Sequence, residues 1–383
     1  MSNLENVTIH QFRGLRDLEL KDLGRVNLLV GINNSGKTSV LEALSVYCHP
    51  LDIREWFSTA LQRDAESRQD RIPPIDALKW LFTRYTELIN PEINKPTILI
   101  SSDGAYFIKQ LKASYEQIEG ISLSTNKRRS NSIDITDDEI DHDDATGLRK
   151  GIDFKIEVYT KQLHLFDNTP HFIETFQLWE NEVLARPSRK REPGLSLCTS
   201  IVTPVSHRFE SPFRLFSDAR FKNFQADVLE LLQKIDNNIS DIEILLPPQS
   251  TSTFSIYIQH KKLGLAPVST FGDGIRRLLH IALKLASAKG GILLIDELES
   301  TIHTEALQNS FRWLVKWCTE MDVQIFATTH SLEAVDALLE VTESDSDLVL
   351  YRLEPKEGKT KVVRHDGHRL RRLREELGQE VRW

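Results

Sequence analysis

Cysteine is scarce in this chain of 383 residues, with three in all. Cys48, Cys198 and Cys318 stand far apart, which fits neither a disulfide framework nor a paired metal-ligand spacing and suits a reducing compartment. Each is read as a small buried hydrophobe. Long apolar runs are also lacking: none reaches the ~18 residues of a bilayer-spanning helix, and nothing near Met1 has the order of a secretory signal. The expectation is a cytoplasmic protein with no membrane partner. Positive charge is in deficit, since 48 Lys and Arg against 56 Asp and Glu leave a formal net charge of -8. Coating of nucleic acid by bulk charge is excluded, so any contact with DNA must be local. There is no internal repeat and no heptad run long enough for an extended coiled coil.

What is present falls into three stretches. Val7, Ile9 and Phe12, then Leu18 and Leu20, then the apolar run 26–30 predict three short strands. The last stops at Gly31 and gives way to a helix over 38–47 that His49 and Pro50 end, so strand, glycine-bearing loop and helix follow in order. From Leu51 to Pro267 the pattern changes to helices at 56–61 and 78–88 and alternating strands, clearest at Ile152, Phe154, Ile156 and Val158. A helix over 218–235 and strands at 242–246 and 254–258 complete what reads as a mostly antiparallel lobe. Within it, residues 122–147 hold Lys127-Arg128-Arg129 and an acidic run ending in Asp141-His142-Asp143-Asp144, the composition of a mobile surface loop. The run lacks the turn glycine and terminal glutamate of a calcium loop, so no metal is assigned there. After Ser269, helices at 275–287, 304–319 and 332–339 alternate with strands at 292–295, 323–327 and 348–353. That alternation predicts a parallel sheet with crossover helices.

Gly31-Ile32-Asn33-Asn34-Ser35-Gly36-Lys37-Thr38 matches G-x-x-x-x-G-K-[ST] in full and lies between a predicted strand and a predicted helix, the context that motif requires. Gly31 and Gly36 let the backbone wrap closely enough for its N–H groups and the helix N-terminus to hold phosphates. Lys37 would neutralise the β- and γ-phosphates, and Thr38 would offer its hydroxyl to Mg²⁺. The nucleotide-binding set thus runs through Asn33, Asn34, Ser35, Gly36, Lys37, Thr38 and Ser39. The second half of such a site is an apolar strand ending in acid, and Ile292-Leu293-Leu294-Ile295-Asp296-Glu297 fits. Asp296 would hold the Mg²⁺ while Glu297 polarises the attacking water. ATP and Mg²⁺ are the expected cofactors. A GTPase would read its base through N-K-x-D, and Asn94-Lys95-Pro96 lacks the aspartate.

The order of P-loop, long insert, glycine-bearing segment, acidic strand and a further strand running into Thr328-Thr329-His330-Ser331 resembles the ABC-type ATPases. Within them it is most similar to the cytosolic branch of the structural-maintenance (SMC), RecF-like and OLD-like proteins. The resemblance rests on residues 1–50 and 268–383. It implies an α/β fold, a P-loop NTPase core with a mixed sheet, interrupted by a long α+β insertion over 51–267 that carries no motif of its own. It implies that His330 senses the γ-phosphate, and that Arg13, in Phe12-Arg13-Gly14-Leu15, approaches the nucleotide. Phe271-Gly272-Asp273-Gly274-Ile275-Arg276-Arg277 sits where the signature motif falls, so Gly274 would offer N–H groups to the ATP of another subunit. Gly272 stands in place of the usual signature serine, which implies slow hydrolysis by an ATP-closed dimer. The loop from Leu298 to His303 follows the acidic strand as the dimer-contact loop would, with His303 replacing the more common aspartate; no glutamine loop is identified. The implied catalytic set is Glu297, Lys37 and His330.

One related branch carries a TOPRIM nuclease domain after the ATPase, and this chain stops too soon to hold one. Its ending, through Val381-Arg382-Trp383, looks like that of stand-alone bacterial ATPases found beside a separately encoded TOPRIM-like protein in anti-phage defence. The resemblance therefore implies an ATP-hydrolysing switch or scaffold with such a nuclease as partner. The alternative it leaves is a DNA-maintenance ATPase. For that reading the basic runs 186–191 and 368–374 are candidate phosphate contacts, although such runs are usually solvated faces.

Overall fold

The computed structural model describes residues 3–64, 72–83, 96–122, 147–161, 169–180, 195–247, 254–342, 344, 347–356 and 359–383. The loop expected over 122–147 lies, apart from its two end residues, outside the described residues. So do the basic run 186–191, Asn94 and Lys95, and the second half of the helix expected at 78–88.

Alternation of buried and exposed side chains shapes the first hairpin. In β1 (Asn6–Phe12) and β2 (Leu15–Leu20), Val7, Ile9, Phe12, Leu18 and Leu20 are buried, as one face of a pleated pair must be. β3 (Val26–Gly31) is buried along its whole length, which marks a strand covered on both faces. The P-loop then leads into α1 (Lys37–Cys48), a helix buried nearly all round. α2 (Ile53–Leu61), capped by Asp52, and α3 (Pro74–Lys79), with proline in its first turn, pack beside it. β4 (Thr97–Asp103), β5 (Ile108–Ser122), β6 (Gly147–Thr160) and β7 (Phe172–Trp179) extend the hairpin into a six-stranded antiparallel sheet of order β2-β1-β4-β5-β6-β7.

β8 (Thr199–Val202) crosses to a second sheet. There follow α4 (Ser206–Phe209), α5 (Phe213–Phe221), α6 (Gln225–Ile235) and a small antiparallel sheet of β9 (Ile239–Leu245), β10 (Ser255–His260) and β11 (Gly264–Pro267). The single helix expected over 218–235 is therefore two. Asn223 takes a left-handed φ of 57° between them, a conformation that asparagine tolerates and that a 3.6-residue apolar period does not reveal. The remainder alternates: α7 (Asp273–Ser287), β12 (Ile292–Ile295), α8 (Thr304–Glu320), β13 (Gln324–Thr328), α9 (Leu332–Val341), β14 (Leu348–Lys356), β15 (Lys359–Asp366) and α10 (Gly367–Arg371).

The second sheet has six strands in the order β15-β14-β3-β13-β12-β8, parallel throughout except for β15, and is thus mixed. Its two faces feed two cores. Leu293 and Ile295 of β12 join the core built with α6 to α9, whereas Ile292 and Leu294 join the core built with α1, α2 and the antiparallel sheet. The stretch 51–267 supplies β4 to β7 to the sheet begun by β1 and β2, and β8 to the sheet of β3.

Candidate functional site

Because β3, β13, β12 and β8 run parallel, their carboxyl ends share one edge of the sheet, where open α/β sheets place ligands. After β3 the chain takes positive φ at Gly31 (146°), Asn34 (62°) and Gly36 (98°). A Cβ on Gly31 would lie 2.6 Å from the Leu353 carbonyl oxygen, and one on Gly36 2.6 Å from Leu15 Cδ2, so both glycines are required by backbone angle and by space. Gly36 is also the N-cap of α1, with no side chain capping it, and Val40 N–H donates the first intrahelical bond, to Gly36 O at 3.0 Å. The amides of Lys37, Thr38 and Ser39 form the open, electropositive helix end that receives anions. Ser35 Oγ is buried in the same loop without a partner. Lys37 Nζ donates to Gly31 O (2.8 Å) and Ile32 O (3.0 Å), and loss of hydration holds its pKa below the ordinary lysine value.

The acidic strand meets this loop. Thr38 Oγ1 lies 3.3 and 3.2 Å from Oδ1 and Oδ2 of Asp296. Thr328, at the end of β13, donates from Oγ1 to Asp296 Oδ1 at 2.6 Å and accepts from the Glu297 N–H at 2.8 Å. Arg277 of α7 is wholly buried beneath them. Its guanidinium donates to the carbonyls of Thr203 (2.8 Å), Asp296 (2.9 Å) and Glu297 (2.6 Å), and burial pushes its pKa down to about 10, which leaves it charged at neutral pH. Glu297, at φ 50°, presents an exposed side chain. Reduced hydration, followed by the charges of Asp296 and Glu299, raises its carboxyl above the ordinary value. Thr38 and Asp296 make a pair of hard oxygen donors, braced from behind by Thr328. Such a set suits Mg²⁺, which takes one or two protein oxygens and completes its shell with water and phosphate.

His330 is fixed through its backbone. Its N–H and that of Ser331 donate to Glu299 Oε1 at 2.9 and 3.1 Å, and its carbonyl accepts from Arg382 Nη1 at 2.6 Å. Glu380 holds the Arg382 guanidinium by two bonds of 2.8 Å each. The ring itself is exposed at the sheet edge. Arg13 Nε is 2.7 Å from the buried Glu42 of α1, which Arg63 also holds at 2.7 Å while donating to Ser39 Oγ at 2.9 Å. Gly274, in the first turn of α7, packs against the loop after β12, where a Cβ would lie 2.9 Å from the Thr301 carbonyl.

Sequence reading left Arg277, Thr328, Glu299 and Arg382 without roles. Arg277 had a signal, a charge beside Leu278 and Ile281 on the apolar stripe of a helix. The other three are joined to the site only by folding. β8 lies beside β12 with Val202 opposite Ile295, and the residue that follows Val202 is Thr203, not a glutamine.

The model of a family described as "AAA domain, putative AbiEii toxin, Type IV TA system" matches residues 26–336, a span that contains the P-loop, Asp296 and His330. The chain belongs to this AAA-domain family. An "ATP/GTP phosphatase" of Helicobacter pylori is 20% identical over 353 residues, covering 88% of each chain. An uncharacterized protein of Methanocaldococcus jannaschii is 36% identical over 121 residues, which is 29% of this chain and 98% of that one. The DNA replication and repair protein RecF of Cellvibrio japonicus is 43% identical over 44 residues, 12% of each chain. Among solved structures, the Smc head domain of Pyrococcus furiosus, bound to the C-terminal domain of ScpA, shares the fold with a TM-score of 0.50 at 10% identity, over 99% of this chain and 100% of that one. This AAA-domain chain thus shares the fold of that Smc head domain.

Proposed function

We propose that the chain binds ATP with Mg²⁺ and hydrolyses it slowly, as a switch or scaffold that responds to nucleotide state. The observation that carries this reading is the meeting of Thr38 with Asp296 at 3.2 Å across 258 residues of sequence. In it, the loop from Asn33 to Ser39 wraps the phosphates and Lys37 exchanges its two carbonyl partners for phosphate oxygens. Thr38 and Asp296 hold Mg²⁺, which offsets charge on the phosphates when bound. Glu297 takes a proton from the attacking water, and His330 offers its ring to the γ-phosphate. Gly274 faces the nucleotide of a second copy in an ATP-closed dimer. Arg13 acts on the site through Glu42, Arg63 and Ser39. Residues 1–50 and 268–383 are the bipartite core of this reading and 51–267 its insertion. Calorimetry and phosphate release test it: Lys37→Ala should abolish tight ATP binding, and Glu297→Gln should bind ATP yet release no phosphate. Unchanged affinity in the first variant would sink the P-loop assignment.

For the wider role we propose a place in bacterial defence, with the chain acting in the cytoplasm beside a separately encoded TOPRIM-like nuclease; the family description names a toxin of a type IV TA system and no such partner. No helix among the described residues is long and apolar enough to cross a membrane. The RecF match supports a second reading, a dimer that holds DNA when ATP closes it. Three arginines of the 368–374 run are engaged within the chain, Arg371 with Thr342 O, Arg372 with Glu376 and Arg374 with Asp336, which weakens that reading. Affinity capture from the native host with ATP present separates the two: a stoichiometric nuclease-like partner supports the first, and co-purified DNA the second.

A further inference from the structure

β8 ends the order of the second sheet, so one of its sides has no strand beside it among the described residues. Its register fixes which backbone groups that leaves over. Ile292 N–H donates to Cys198 O and Asp296 N–H to Val202 O, both at 2.8 Å, so the even-numbered residues turn their amides to β12. Successive residues of a strand turn their amides to opposite sides, and Thr199 and Ile201 therefore aim their N–H and C=O groups away from the sheet. None of these backbone groups bonds to another described residue. An open edge of this kind is a template for a further strand.

The edge is sunk in a cavity of about 500 Å³, within the ~300–1,000 Å³ of sites that hold ligands. Thr199, Ser200 and Ile201 all border it. Their side chains alternate between the two faces of the sheet, so what three consecutive residues present to one cavity is the edge itself. Helices wall it on both sides: Leu61 of α2 shares the core of Ile201, and Leu215 of α5 shares that of Val202. An extended chain laid about 4.8 Å from β8, the spacing of neighbouring strands, would run along this slot. The walls select the chemistry of such a segment. Apolar surface is open on Phe209, 57% exposed, near Leu61 and Leu215. Of the charged side chains in the slot, Lys284 is bound to Glu210, whereas Glu55 meets no cation among the described residues and accepts from Ser45 Oγ. The surplus is one carboxylate, which calls for a basic residue.

We propose that the free edge of β8 docks an extended segment of a partner protein by strand addition, its backbone bonded to Thr199 and Ile201, an apolar side chain against Phe209 and a lysine or arginine at Glu55. Both walls run on into the nucleotide site. Gln62 borders the slot and the next residue, Arg63, donates to Ser39 Oγ, while Thr203 O, just past β8, accepts from Arg277. A docked strand is thereby felt at the P-loop and at the acidic strand. That link rests on the proposed function; the docking does not.

Ile201→Pro isolates the edge. Proline has no N–H and fits an edge strand where that group faces outward, so the variant keeps its ladder to β12 while losing a docking donor. Random octapeptides displayed on phage and selected on the full chain without nucleotide supply the probes, and fluorescence anisotropy of the synthesised peptides reads their affinity. The expected peptides alternate apolar and polar residues and carry lysine or arginine. They bind Ile201→Pro about tenfold or more weakly, and lose as much on the unaltered chain when their alternate amides are N-methylated, a readout that stands even if Ile201→Pro fails to fold. Glu55→Gln should weaken them and flatten their salt dependence. Failure to enrich any peptide, or peptides whose affinity N-methylation leaves within about twofold, overturns the site. So does self-association of the chain that Ile201→Pro abolishes, which would give the edge to a second copy. Calorimetric ATP binding is measured separately, so that failure here stays distinct from failure of the P-loop reading.

Discussion

Replacing Arg277 by methionine tests the bracing of the acidic strand most directly. Methionine keeps the length and apolar stem of the side chain but removes the fork that joins Thr203, Asp296 and Glu297 through three bonds of 2.6–2.9 Å. A hydrogen bond to a charged group contributes about 1.5–3 kcal/mol, but the three share one guanidinium and do not add, and relief of its burial offsets part of the loss. The net expectation is a loss of about 3–5 kcal/mol, the range found when one partner of a buried charged interaction is removed. That is a large fraction of the about 5–15 kcal/mol by which folded domains are stable. Urea unfolding measures it as a lower midpoint. Phosphate release should fall as well, because Asp296 and Glu297 lose the anchor of their backbones. A change under about 1 kcal/mol with release unaltered would refute the idea that Arg277 holds the site's geometry.

Thr328→Val removes the hydroxyl that orients Asp296 and accepts from Glu297 N–H, so the Mg²⁺ needed for half-maximal phosphate release should rise about 10–100-fold, as for loss of an outer-shell partner. In the proposed mechanism Glu297 is a base only when ionised, and its raised carboxyl should make the rate climb with pH through a pKa above the ordinary value of about 4.3, then level off. Glu297→Gln should abolish that limb, and a limb that persists assigns it to another group. Arg382→Ala frees the His330 carbonyl and should lower kcat about tenfold while KM changes little, with Arg382→Lys recovering part of the loss. An equal fall in Tm-matched variants of other surface arginines would show that loss of charge in general, and not the hold on His330, is what matters.

Legibility in the sequence followed the range of the interaction. The P-loop is a local device, and Gly31, Gly36 and Lys37 declare it by spacing alone, because the angles and amides it needs are set within eight residues. β12 and the alternating segments after it were readable for a similar reason: four consecutive apolar residues followed by two acids describe a buried strand that surfaces at its end. What was not readable depends on pairing across the chain. β8 carries only Thr199 to Val202, and nothing in those four residues tells that they lie beside β12 in parallel register. Arg13 sits in a turn whose sequence is legible, yet its partner Glu42 is selected by the packing of α1. The break at Asn223 shows the complementary failure, since one left-handed residue redirects a helix without disturbing its apolar period.

The alternation along β12 bears on how the molecule can move. Ile292 and Leu294 are wedged into one core while Leu293 and Ile295 are wedged into the other, so the strand that carries Asp296 is a partition wall between two packed rooms. Close-packed interiors resist sliding, because any shift of the wall opens a void on one side and a clash on the other. The sheet therefore acts as a fixed anvil. Work done on it at the nucleotide edge is delivered to the pieces that rim it, the loop from Leu298 to Ile302, the His330 turn and the amino end of α7, and these are the parts through which occupancy would be felt at a distance.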